Sequence, residues 1–185
     1  MPYIFAGNKV LTMAGATWTQ AATQEQIEQM RGLLNQGLDE GGLGIGVLLD
    51  YMTTAVSDAE LEMLFEVAAA REVPLYIHVR RGYTGDPAGL IEVIELAKKT
   101  SAPLFICHIT HNAMGSIGEW LAMIDEANKQ GANITTETLS YSAGGTSISA
   151  DVFRRRDWKA IFDIEYGDVQ WVETGEWLTK EIQVS

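Results

Sequence analysis

The chain is 185 residues long, enough for one ordinary domain with a core of its own or for part of a larger one. Hydrophobic residues make up 46% and the mean hydropathy is close to zero, which places it among globular, water-soluble proteins. The net charge of −12, with only Arg154-Arg155-Arg156 as a basic cluster, argues against nucleic acid or an anionic membrane surface as a partner and otherwise says little about function.

One cysteine, Cys107, excludes an internal disulfide framework. The opening Met1-Pro2-Tyr3-Ile4-Phe5-Ala6 lacks the basic region and long apolar run of a signal peptide, and no stretch reaches membrane-spanning length. A cytoplasmic location is the default expectation.

In chain order, Ile4 to Met13 carry a weak strand pattern broken at Gly7-Asn8. Thr23 and Gln26 form a capping box ahead of a helix with Ile27, Met30, Leu33, Leu34 and Leu38 on one face, closed by Gly41-Gly42. Leu43 to Leu49 reads as a short strand ending at Asp50-Tyr51. Ser57 and Glu60 make a second capping box before a helix whose stripe is Leu61, Leu64, Phe65, Val67 and Ala68.

Two apolar strands follow, each opened by a proline and each delivering a histidine: Pro74-Leu75-Tyr76-Ile77-His78 and Pro103-Leu104-Phe105-Ile106-Cys107-His108. The helix between them has Pro87 in its first turn and Lys98-Lys99 in its last. A further helix spans Ile117 to Gln130, and Ala132 to Thr138 reads as another strand. Four strands starting near residues 43, 74, 103 and 132, about thirty residues apart, predict a parallel α/β sheet, doubly wound or barrel.

A right-handed crossover puts successive parallel strands side by side, so His78 and His108 should emerge together at the C-terminal edge, where α/β barrels keep their chemistry. By period two, Tyr76 shares a face with His78, and Leu104 and Ile106 share one with His108, while Glu137 falls at the matching end of the last strand. Beyond Thr138 the rhythm stops, and from Asp151 an irregular insert or lid with short helices is expected, which divides the chain into residues 1–150 and 151–185.

Two imidazoles on adjacent strand ends suit Zn²⁺ or another divalent metal, although a catalytic zinc usually takes three protein ligands. The alternative is a pair of strand-end histidines hydrogen-bonded to loops. His111 either lines a pocket or is solvated, Cys107 reads as a small buried apolar residue, and Arg80-Arg81 either hold a substrate carboxylate or are loop charges.

These residues resemble the metal-dependent amidohydrolase superfamily, most closely its N-acyl-D-amino-acid deacylase (D-aminoacylase) branch. The match lies in Leu43-Gly44-Ile45-Gly46, Ser57-Asp58-Ala59-Glu60-Leu61, Ile77-His78-Val79-Arg80, Ile106-Cys107-His108 and the Glu137 to Ser147 segment, and covers about residues 23 to 150.

The resemblance implies a partial TIM-like (β/α) barrel of about four to five parallel strands, with His78 and His108 as metal ligands. It also implies a small-molecule substrate, with Tyr141 and Ser147 as candidates for holding it or the developing oxyanion, beside Arg80 from the reading of the residues above. It departs from the family in having no His-x-His, no late barrel aspartate, and Thr110 where the family keeps a lysine. The function expected is therefore an internal portion, or a degenerate relative, of a hydrolase acting on the amide bond of N-acyl amino acids, inactive as this chain alone, with its general base elsewhere. The alternative is a non-catalytic α/β domain that assembles, as a homo-oligomer for instance, through an exposed sheet edge.

Overall fold

The structure is a computed structural model that describes residues 4–6, 13–17, 20–50, 53 and 55–179. Five strands, β1 (Ile4–Ala6), β2 (Gly44–Leu48), β3 (Leu75–His78), β4 (Leu104–Ile106) and β5 (Ile134–Thr136), form one sheet in sequence order with every neighbouring pair parallel. Helices α1 (Gln24–Asp39), α2 (Asp58–Ala70), α3 (Ala88–Thr100) and α5 (Ile117–Lys129) make the crossovers, and the short α4 (Thr110–Ala113) follows β4. Of the weak strand pattern over Ile4 to Met13, β1 is present, and residues 7–12 lie outside the described residues.

The sheet has two unlike faces. Leu75, Ile77, Leu104 and Ile106 are fully buried in one cluster with Phe65, Leu61, Leu90, Val93 and Trp120 from the helices. Each such side chain contributes roughly 1.5–3 kcal/mol through removal of apolar surface from water. On the opposite face Tyr76 and Phe105, in register, are half-buried with ring centroids 5.2 Å apart. The outer edge of β5 is partly covered: the Asn128 amide donates to the Ile134 carbonyl at 2.8 Å and accepts from its N–H at 2.9 Å. That side chain takes up backbone groups an added strand would need.

The first capping box forms as the sequence predicts, with Gln26 N–H donating to Thr23 Oγ1 at 3.3 Å and Thr23 N–H to Gln26 Oε1 at 2.9 Å. The second forms by half. Ser57 Oγ accepts from Glu60 N–H at 3.2 Å, but the Glu60 side chain, 4% exposed, does not return to the cap, and its Oε2 has no hydrogen-bond partner. Burial pushes the Glu60 carboxyl above its ordinary range, and the nearby Arg80 charge opposes that without cancelling it.

A carboxyl that holds its proton more tightly in the folded than in the unfolded chain favours folding at acid pH and loses that advantage as pH rises toward the raised value. Glu60→Gln is therefore expected to stabilise the chain by up to about 1 kcal/mol at pH 7 and to leave it unchanged near pH 4. Thermal melts at the two pH values measure this, and a lower midpoint at pH 7 contradicts it.

Helix α3 starts against the loop that follows β3: a side chain at Gly89 would run into the Arg80 carbonyl oxygen, so only glycine lets the two come this close. Asp86 Oδ1 accepts from Ala88 N–H at 3.0 Å, and Pro87 stands at the cap. Past the loop 139–149, residues 151–179 hold a 3₁₀ turn Asp151–Arg154, the helix α6 (Trp158–Phe162), a second 3₁₀ turn Tyr166–Asp168 and a two-stranded antiparallel ribbon, β6 (Gln170–Trp171) with β7 (Glu176–Trp177). The ribbon was not legible as strands, because two residues a side show no alternation. No helix among the described residues is long and apolar enough to cross a membrane.

Candidate functional site

The register of β2, β3 and β4 decides what stands at the C-terminal edge of the sheet. Leu48 pairs with His78, so Asp50 projects just beyond the end of β2 beside the end of β3. Ile77 pairs with Ile106, and Cys107 N–H still donates to the Ile77 carbonyl at 2.9 Å, which sets Cys107, not His108, level with His78.

Strict alternation would therefore send the two histidines to opposite faces. They meet because β4 ends at Ile106 and His108 takes φ 73°, the left-handed region that an L residue with a ring side chain rarely occupies. The turn is held from both sides: Ile109 N–H donates to the Glu137 carbonyl at 3.1 Å and His111 N–H to the His108 carbonyl at 3.3 Å.

His78 Nδ1 lies 3.2 Å from His108 Nε2, and the ring centroids are 4.6 Å apart. The other nitrogen, His78 Nε2, is 3.1 Å from Asp50 Oδ2, and the Arg81 Nε donates to the same oxygen at 2.6 Å. Asp50, His78 and Arg81 are all buried, with side chains 7%, 5% and 6% exposed. Arg81 also donates from Nη1 to the His111 carbonyl at 3.3 Å and lies 4.8 Å over the Phe162 ring of α6. The same insert reaches the loop after β3 through Thr84, whose N–H and hydroxyl both donate to the Ile161 carbonyl, and through Tyr83, which donates to Asp157.

The third histidine stands beside the pair. The His111 ring centroid is 5.8 Å from that of His108 and 6.3 Å from that of His78. It is half-buried, with the Gly144 backbone packed on it so closely that a side chain at Gly144 would enter the ring. Burial first, and then the Arg81 charge, push His111 down to about 4; burial and the neighbouring His78 lower His108 as well. Both imidazoles are thus neutral at neutral pH, the form with a free ring lone pair. Cys107 is pushed up to about 11 by burial and the Glu137 charge, so its thiol is protonated and inert, as the small-apolar reading expects.

The remaining expected site residues lie elsewhere. The Arg80 guanidinium is held by Glu92, with Nε 3.0 Å from Oε2, and by the Val56 carbonyl, so that it joins helices to the sheet while Arg81 is the arginine at the histidines. Tyr141, 76% exposed, and Ser147, whose hydroxyl is 2.7 Å from that of Ser149, sit on the exposed loop. Glu137 is exposed at the end of β5, near enough to act on His108 and Cys107 through its charge.

Asp50 is what sequence reasoning passed over. It ends a strand at the same edge as the histidines, so the rule that singled them out applied to it too. Among the described residues, no group of three or more His, Cys, Asp or Glu side chains is placed to hold a metal ion.

No family model matches the chain. The N-acyl-D-glutamate deacylase of Alcaligenes xylosoxydans xylosoxydans is 29% identical to it over 135 residues, 70% of this chain and 27% of that enzyme. The fold of this chain matches the crystal structure of N-acyl-D-glutamate deacylase from Bordetella bronchiseptica, determined with zinc and a phosphonate mimic of the tetrahedral intermediate. The TM-score is 0.66 at 26% identity, over 72% of this chain and 29% of that one. A D-aminoacylase crystal structure matches with TM-score 0.65 at 19% identity, over 74% and 30% of the two chains.

The chain thus spans less than a third of the length of these relatives. Its five-stranded open sheet is a partial (β/α) barrel of their kind. In sequence and in fold, the chain resembles the metal-dependent amidohydrolase superfamily on its N-acyl-D-amino-acid deacylase side.

Proposed function

We infer that this chain carries part of the divalent-metal centre of a hydrolase acting on the amide bond of N-acyl amino acids, with His78 Nδ1 and His108 Nε2 as two of the ligands. The observation that carries this is their separation of 3.2 Å. Two nitrogens bound tetrahedrally to one Zn²⁺ at 2.0–2.1 Å stand about 3.3 Å apart, so the separation of the pair matches that of two ligands of a single ion, which would displace the proton now between them. Similarity to an enzyme whose structure contains zinc supports the same reading.

A divalent metal held there by His78 and His108 would supply Lewis acidity toward the scissile carbonyl and toward water. The chain's own share is to present two imidazoles from the C-terminal edge of the sheet, with Phe162 packed on the Arg81 guanidinium and the Gly144 backbone on His111 beside them. The further ligands and the general base would come from outside the described residues. The alternative of assembly through a sheet edge has the half-buried Tyr76 and Phe105 face in its favour and the Asn128 cover on β5 against it.

Calorimetric titration with ZnCl₂, followed by an assay with N-acyl-D-glutamate, tests the proposal. Zinc is expected to bind once per chain, with no turnover. Absence of zinc binding overturns the metal assignment, and robust turnover overturns the view that the base lies elsewhere.

A further inference from the structure

We propose that Asp50 is the positioning residue of the histidine pair, its carboxylate accepting the Nε2 proton of His78 and so fixing Nδ1 as the bare nitrogen that faces His108. This rests on the metal reading above for its purpose but not for its geometry.

An imidazole has two ring nitrogens, and only one can be free in the neutral form. Asp50 Oδ2 lies 3.1 Å from His78 Nε2 and accepts from the Arg81 Nε at 2.6 Å, so the oxygen that faces the imidazole is already turned to donors as an acceptor. Nε2 must then donate. With its proton on Nε2, His78 offers its lone pair at Nδ1, and in the contact of 3.2 Å with His108 Nε2 it is His108 that donates.

Reversal of the first bond would reverse the second and make His78 the donor and His108 the acceptor in that contact. The Arg81 carbonyl partner at His111 and its stacking on Phe162 fix the guanidinium in turn, so three elements converge to set one proton on one ring.

The three histidines make the test tractable. Long-range ¹H–¹⁵N spectra of the metal-free, ¹⁵N-histidine-labelled chain, assigned with His→Gln variants, report which nitrogen of His78 carries hydrogen. Nε2–H with bare Nδ1 is expected in the wild type. Asp50→Asn, which keeps an acceptor oxygen, should retain that tautomer. Asp50→Ala should give a mixture and weaken Zn²⁺ binding roughly 10- to 100-fold.

Nδ1–H in the wild-type chain overturns the proposal, as does a folded Asp50→Ala chain with unchanged tautomer and zinc affinity. Should Asp50→Ala fail to fold, the wild-type and Asp50→Asn tautomers decide. If the wild type shows Nε2–H but binds no zinc, the metal reading falls and the positioning role stands.

Discussion

Alanine at His78 or at His108 is expected to weaken Zn²⁺ binding by at least about tenfold, whereas alanine at His111 is expected to change it by less than about twofold. Outer-sphere partners of a metal ligand already account for 10- to 100-fold in affinity, so loss of a ligand itself costs no less. The contrast with His111 follows from geometry. The rings of His78 and His108 meet nitrogen to nitrogen at 3.2 Å, while the His111 ring is 5.8 and 6.3 Å from them by centroid and lies against Gly144.

The fold should survive each change. The hydrophobic cluster beneath the sheet does not include these rings, and Asp50 keeps its bond to Arg81 when His78 is removed. Calorimetry on the three variants, with circular dichroism to confirm folding, measures the effect. Equal losses at all three positions would mean that zinc is bound by a loose histidine cluster and not by the pair.

Arg81→Ala is expected to destabilise the chain by about 3–5 kcal/mol, the cost of leaving one member of a buried ion pair without its partner. Both side chains are buried, and the Asp50 oxygen that accepts from Arg81 at 2.6 Å would lose that charged donor. The change also removes the cation over Phe162 and so one tie between α6 and the site.

The half-exposed Arg80–Glu92 pair is the natural comparison. It is worth little by itself, so Glu92→Gln should cost no more than about 1 kcal/mol. Urea denaturation of the two variants gives both numbers. A cost below about 1 kcal/mol for Arg81→Ala would show that the Asp50 carboxylate is not held by this guanidinium.

The parallel sheet and its helices were legible because each depends on local chemistry. Thr23 with Gln26 announces α1, the prolines at 74 and 103 mark strand starts, and the apolar runs between them admit one assignment. That the two histidines share a rim was also legible, since it needs only crossover handedness.

How they meet was not. Period two places His78 and His108 on opposite faces once the register is known, and the left-handed turn at His108 that reverses this has no glycine to signal it. Glu60 misled for a related reason: a capping box is a local pattern, and tertiary burial beside Arg80 overrode its second half. Of the two adjacent arginines, sequence alone could not say which faces the histidines, because the loop after β3 leaves the regular strand geometry that would decide it.

The central claim is that His78 Nδ1 and His108 Nε2 hold one ion between them. Anomalous diffraction at the zinc edge from a zinc-soaked crystal of the chain tests it most directly. A single strong peak within bonding distance of both nitrogens is the predicted result; a peak bound to neither, or to His111 alone, would contradict the account.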